Sequence, residues 1–455
     1  MAILPAKARR RQIVTLGLPI IGGMVSQNLL NVVDTAMVGS LGDVALAATG
    51  IGGFANFMAM SLIMGLSAGV QSITARRFGA GHHETLAVAL NGGLLIAAIW
   101  AVPWMAALHE LAPALFSLLV DDPAVSEQAV PYFQWRLMAA LGVGMNFSFR
   151  GYWNGINQPK LYMSTLVISH LCNLLLNWVL IYGRLGAPAL GTEGAAIASA
   201  ASTYVASITY LILGLQRAIP SGFLCRRPSI ADLAALVRVA LPASLAQFFM
   251  ATGYTALMWI VGLTGTAPLA AANVLLTVTL VAVLPGLAFG FVAASLVGQA
   301  LGRGDIDDAE AWGWDVVKLG ALTLGLMGLP MLALPEGLLG FFLQESTTIA
   351  LAVPALRLVG ATMAVDAVGL VLLNALYGAG HSRPVMVVGT TLQWGIGLPL
   401  AYLFGPILGL GLVWMWGAMM LYRASQAAIY AWMWRQRQWA RLNGWSPPPA
   451  RRDRP

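Results

Sequence analysis

Charge is what this sequence has least of. Lys, Arg, Asp and Glu make up 9% of its 455 residues, far too few to coat a soluble protein of that length. Cysteine is nearly absent. Cys172 falls in an apolar segment and Cys225 in a basic loop, and neither suggests a disulfide or a thiolate metal site. The ~10-residue alternating strands of a membrane β-barrel are missing. A removable leader is not expected either, because the basic start MAILPAKARRRQ runs into an apolar stretch that is too long and lacks a convincing small-residue cleavage site. Dense polar clusters are confined to His82-His83-Glu84 and Asp305-Asp307-Asp308-Glu310. Neither has metal or phosphate spacing, so no enzyme and no cofactor is expected.

What is present is apolar length. Hydrophobic residues are 58% of the chain and the mean hydropathy is +0.77. Segments of about 20 apolar residues can cross a core of ~30 Å as helices. Twelve such segments begin near Ile13, Gly50, Leu86, Pro131, Leu161, Gly194, Leu236, Leu269, Trp314, Pro354, Val385 and Gly411. The fold class is therefore an all-α polytopic membrane protein. The net charge of +7 is distributed in a way that needs no nucleic acid. With the N-terminus inside, the cytoplasmic loops and tails carry twenty Lys and Arg, among them Arg76, Arg150, Arg226, Arg303, Arg451 and Arg454, whereas the opposite loops carry only Arg184. That bias places both termini in the cytoplasm. The tail WSPPPARRDRP is expected to be disordered, with some affinity for anionic lipid.

The chain is written twice. Leu18-Pro19 recurs as Leu241-Pro242, an offset of 242 − 19 = 223. The same offset relates Gly42 to Gly265, Ser72 to Ser295, Gly79 to Gly302, Gly81 to Gly304 and Gly155 to Gly378. Six spans per copy give both copies the same orientation, a parallel repeat about an axis along the membrane normal. The expected lobes are residues 1–220, helices one to six, and 221–455, helices seven to twelve with a basic tail. A central cavity would lie at their seam.

Asp34 stands deep in the first apolar segment, where a carboxylate costs at least ~2.5–3.5 kcal/mol on insertion scales. Gln27 and Asn31 lie seven and three residues earlier and share its helical face. Burial disfavours the charged form, so a carboxyl here can take up and release a proton. Asp366 lies about twelve residues into the tenth segment. It is a second candidate for ion or substrate binding, with Gln247 or Tyr254 as possible partners. Arg136 and Arg357, near outer helix ends, are expected to snorkel or to pair with outer-loop acids. Pro19, four turns before Asp34, removes a backbone hydrogen bond and is a candidate hinge.

Several stretches resemble the multidrug and toxic compound extrusion (MATE) transporters. VDTAMVGSLG at 33–42 is similar to their first-helix motif, acid included. ITARRFGAGH at 73–82 resembles their Q-x-x-GAG loop with Arg76 in place of Gln, and GQALGRGD at 298–305 resembles its second copy with Gln299 kept. FRGYWNGINQPKLYM and LYGAGHSRPVM resemble the paired loops after helices four and ten. NLLLNWVLIYG at 173–183 and GTEGAAIAS at 191–199 complete the pattern. The basic start and the loop after helix four look DinF-like, which is the branch favoured, whereas Asp366-Ala-Val looks NorM-like.

The resemblance implies export of cationic amphipathic compounds from the cytoplasmic membrane of a bacterium, in exchange for H⁺ or Na⁺. It puts Asn173, Asn177 and Ser199 beside Asp34 in the ion-coupling site. Some members carry an acid where Asn177 stands, and a neutral amide there favours H⁺. Met250 stands where NorM-like proteins place a Glu in helix seven. Met24, Met250 and Tyr254 are expected to face the drug cavity, since thioethers and aromatic faces suit varied organic cations. The expected partners are small organic cations and the lipid bilayer, with the chain acting as a monomer. The alternatives are a Na⁺-coupled antiporter of the same family and a flippase of lipids or lipid-linked saccharides.

Overall fold

Helices are the form in which an apolar chain can satisfy its own backbone inside lipid. In the computed structural model, which describes residues 4–441, helices account for almost all of the described residues. The segment holding Arg451, Arg452 and Arg454 lies outside the described residues. The long helices are α1 (Lys7–Gly39), α2 (Asp43–Gly79), α3 (Val88–Leu119), α4 (Pro123–Leu137 continued by Ala140–Gly155), α5 (Pro159–Tyr182) and α6 (Gly191–Arg217). They are followed by α7 (Ile230–Gly262), α8 (Thr266–Gly302), α9 (Ile306–Ala333), α10 (Ser346–Gly378), α11 (Ser382–Ile407) and α12 (Leu412–Arg435).

The offset of 223 governs the helix ends as well as the residues. Adding it to the bounds of α1 and α2 returns those of α7 and α8: 7 + 223 = 230, 39 + 223 = 262, 43 + 223 = 266 and 79 + 223 = 302. The turns repeat too. Gly42 and Gly265 have φ of 113° and 129°, and Gly81 and Gly304 have φ of 75° and 80°. Side chains disfavour these conformations, so the repeated glycines hold equivalent turns in both copies.

The copies differ where a helix is interrupted. Gly65 breaks α2, and its amide donates to Ser244 Oγ of α7 at 3.1 Å. A Cβ at Gly65 would lie 2.2 Å from the Ala240 carbonyl oxygen, so the break lets two backbones approach. The corresponding stretch of α8 is continuous around Pro285. In α11 two π-helical stretches, Gln393–Gly397 and Leu403–Ile407, replace regular helix.

The two sets of six meet at the end that carries the basic loops. A Cβ on Gly79 would lie 1.9 Å from the Gln299 carbonyl oxygen, and one on Gly302 would lie 2.1 Å from that of Arg76. Ser72 Oγ donates to the Gly378 carbonyl at 2.9 Å, and its repeat mate Ser295 donates to that of Asn154 at 2.8 Å. Gln299 Nε2 donates to the Gly155 carbonyl at 2.9 Å, while Arg76, its counterpart (76 + 223 = 299), donates to the Ala379 carbonyl. Arg76 thus does in one copy what glutamine does in the other. Salt links tie the rim: Arg77 to Asp232 at 2.5 Å, and Arg9 to Asp315 at 2.9 Å.

The acid-rich loop residues serve as such links. Asp305 caps α9 by accepting from the Asp308 amide at 2.8 Å, Asp307 pairs with Arg437 at 2.7 Å, and Glu84 pairs with Arg226 at 2.9 Å. Among the described residues no group of three His, Cys, Asp or Glu side chains could hold a metal.

Candidate functional site

Two helices of the first lobe bring a polar stripe each to one place. On α1 the residues are Gln27, Asn31 and Asp34. On α5 they are His170, Asn173 and Asn177, at spacings of three and four that put them on one face. Asn177 Nδ2 donates to Asp34 Oδ1 at 2.6 Å and lies 3.0 Å from Asn173 Oδ1. Asn173 Nδ2 reaches Ser202 Oγ at 3.2 Å and Ser199 Oγ at 3.4 Å, both on α6. Rotating the Asn173 amide by 180° brings its nitrogen to 3.0 Å from Asp34 Oδ1 and its oxygen to 3.2 Å from Ser202 Oγ. The asparagines are buried, whereas Asp34 is half-exposed. Among the described residues Asp34 has no ion-pair partner, although Arg136 is close enough for the two charges to interact.

One to two turns earlier on α1, Gln27 Oε1 meets His170 Nε2 at 3.0 Å and Ser26 Oγ meets His170 Nδ1 at 2.7 Å. Gln27 Nε2 also donates to Asn31 Oδ1 at 3.3 Å, and Asn31 itself is exposed. Met24 and Gln27 line a cavity of ≈ 290 Å³ together with Arg150 and Tyr162. Pro19 is buried within the single run of α1. The residues expected to act together in this lobe therefore lie along one polar track.

The second lobe is built differently. Its cavity of ≈ 210 Å³ is lined by Gln247, Met250, Tyr254, Gln393, Arg423 and Gln426, among others. Asp366 is buried and pairs with Arg423 Nε of α12 at 2.9 Å. This corrects the expectation that Gln247 or Tyr254 would partner it. A guanidinium satisfies a buried carboxylate far better than a neutral amide or phenol can. Asp366 Oδ2 is still left without a hydrogen bond.

Three residues were missed in the sequence. Arg423 is eleven positions into α12 (423 − 412 = 11), at a depth where the reasoning applied to Asp34 would have flagged it. His170 continues the Asn173–Asn177 stripe by one further turn. Arg150 was assigned to a cytoplasmic loop, but it lies inside α4, half-buried, with its Nε donating to Ser67 Oγ at 3.0 Å. Arg357 pairs with Glu336 at 3.6 Å, as an outer-end arginine was expected to.

A membrane bundle of two repeated halves, with buried polar side chains reaching into its cavities, is the architecture of a transporter. The chain belongs to the MatE family: the family model matches residues 19–179 and again 242–403, the two matches starting 223 residues apart. Similar proteins are the multidrug resistance protein NorM of Burkholderia vietnamiensis, 28% identical with 92% of each chain covered, and a probable multidrug resistance protein NorM of Burkholderia mallei, 29% identical with 92% of this chain and 90% of that one covered. Among solved structures, an outward-facing multidrug resistance MATE family transporter of the MOP superfamily matches with a TM-score of 0.86 at 23% identity, covering 94% of this chain and 96% of that one. A MATE structure in a bent conformation matches equally well, at 24% identity, with 94% and 95% covered. The protein is thus a MATE-type transporter and not an enzyme. The relatives named here carry the NorM name rather than a DinF-like one.

Proposed function

We propose that the protein exports amphipathic organic cations across the cytoplasmic membrane of a bacterium in exchange for protons, with Asp34 as the protonation switch and both termini in the cytoplasm. Residues 1–220 and 221–455 rock about the seam, and the tight packing at the basic-loop end corresponds to an outward-facing state. The observation that carries the reading is the set of N–H groups aimed at Asp34. Asn177 donates to its carboxylate, and the Asn173 nitrogen reaches it when that amide is rotated. Na⁺ is a hard cation that wants several oxygens, and a carboxylate already facing amide donors offers few. A proton suits the site better, because Asn177 Oδ1 is buried without a donor and a protonated Asp34 would supply one.

Asp366 is the weaker candidate for the switch, since its charge is balanced within the helix bundle by Arg423. Met250 and Tyr254 on that side then serve as drug contacts, with Met24, Gln27 and Asn31 on the other. Pro19 is assigned the bend in α1 that opens or closes the Asp34 site. The reading is tested by expressing the wild type and Asp34→Asn in cells stripped of other pumps and measuring resistance to ethidium. The wild type should protect and the variant should not. Equal protection by both would remove Asp34 from the mechanism.

A further inference from the structure

Arg150 lies five residues from the end of α4 (155 − 150 = 5) and lines the ≈ 290 Å³ cavity with Gln27, Asn28, Asn146 and Tyr162. Leu284 of α8 closes the same cavity from the other lobe. The guanidinium is held firmly. Its Nε donates to Ser67 Oγ at 3.0 Å, and its carbon sits 4.2 Å from the ring centre of Phe147 and 4.8 Å from that of Phe291. Arg423, which lines the second-lobe cavity, is neutralised by Asp366. Arg150 has no ion-pair partner among the described residues.

A cation held away from water with no counter-charge is costly. Aromatic faces offset only part of that cost. The guanidinium carries five N–H donors in a planar fork matched to a carboxylate, and the bond to Ser67 uses one of them. A fixed, partly dehydrated fork facing an open cavity is the arrangement that recognises an organic acid. Cations alone would be repelled from this end of the cavity.

We propose that Arg150 anchors the carboxylate of an amphipathic substrate, so that the first-lobe cavity takes zwitterions lengthwise. The acid end lies at Arg150 and the amine end points along α1 towards Asp34. Gln27, in the same cavity, is seven residues from Asp34, about 10 Å at ~1.5 Å per residue. That length suits a drug with its charges at opposite ends. The inference rests on the drug-export reading given above.

The test is calorimetric binding to the full-length protein in lipid nanodiscs, using a fluoroquinolone with a free carboxylate and its methyl ester as the two probes. The wild type should bind the acid about tenfold or more tightly than the ester, as expected for a charge-assisted hydrogen-bond pair. Arg150→Gln should bring the ratio of the two affinities close to one, and Arg150→Lys should restore part of it. Equal binding of acid and ester by the wild type would overturn the anchor while leaving drug export standing. Equal loss of both probes in Arg150→Gln, not restored by lysine, would reduce Arg150 to a packing role and also overturn it. Failure of the wild type to bind either probe would defeat the drug-export reading itself.

Discussion

The Asn177 amide donates to Asp34 Oδ1 across 2.6 Å while its own oxygen is buried with no donor. Each residue thus holds half of a switch. The charged acid is stabilised by the N–H, and the protonated acid could satisfy the oxygen. Replacing Asn177 with Ala should remove both halves. A hydrogen bond to a charged group is worth about 1.5–3 kcal/mol, so proton-driven efflux should fall by roughly tenfold or more at matched protein levels. Initial rates in inverted vesicles measure this, and an unchanged rate would show that Asn177 only packs.

The Asp366–Arg423 pair predicts a non-additive stability pattern. Removing one partner of a buried ion pair leaves the other charge stranded and costs about 3–5 kcal/mol, whereas removing both for apolar residues of similar size is often neutral. Thermal unfolding of the purified protein should therefore place Asp366→Leu and Arg423→Met well below the wild type. The double variant should melt above either single variant. Additive losses would mean that the pair is not the unit that matters.

The seam at the basic-loop end predicts a steric trap. A Cβ on Gly79 would fall 1.9 Å from the Gln299 carbonyl oxygen, a backbone atom that cannot swing aside as a side-chain tip would. In a chain whose Cys172 and Cys225 are replaced by serine, Gly79→Ala should expose a thiol introduced by Ala75→Cys, a position that is fully buried in the closed seam. Thiol labelling should increase over the Ala75→Cys parent. No increase would show that the helices tolerate the methyl group in place.

Pro19 predicts an effect on motion rather than binding. Alanine restores a helix hydrogen bond and stiffens α1. Turnover of Pro19→Ala should fall while the protein melts at or above the wild-type temperature. A variant that turns over at the wild-type rate would mean that Pro19 is a static kink.

Much of this was legible in the chain because lipid leaves few choices. Low charge and long apolar runs dictated helices, and the 223-residue offset of the sequence recurs in the bounds of α1 and α7 and of α2 and α8. Asp34 could be found because one charge in an apolar run is conspicuous. The partners of buried charges were harder. Arg423 lies 57 positions from Asp366 (423 − 366 = 57), and no periodicity links two helices whose pairing is set by tertiary packing. Arg150 was misplaced because its helix continues past the apolar stretch, so a residue that looks like the start of a loop is still walled in by Phe147 and Phe291. The exchange of roles between Arg76 and Gln299 was visible as an offset match, but only the folded lobes reveal that both bond to backbone carbonyls across the seam.

The central claim is that a proton on Asp34 drives export. Purified protein in proteoliposomes, given either a pH gradient or a Na⁺ gradient alone, measures it directly through uptake of a fluorescent cation. The account predicts uptake with the pH gradient, little with Na⁺, and none by Asp34→Asn under either condition. Uptake driven by Na⁺ alone, or by the pH gradient in the Asp34→Asn protein, would contradict it.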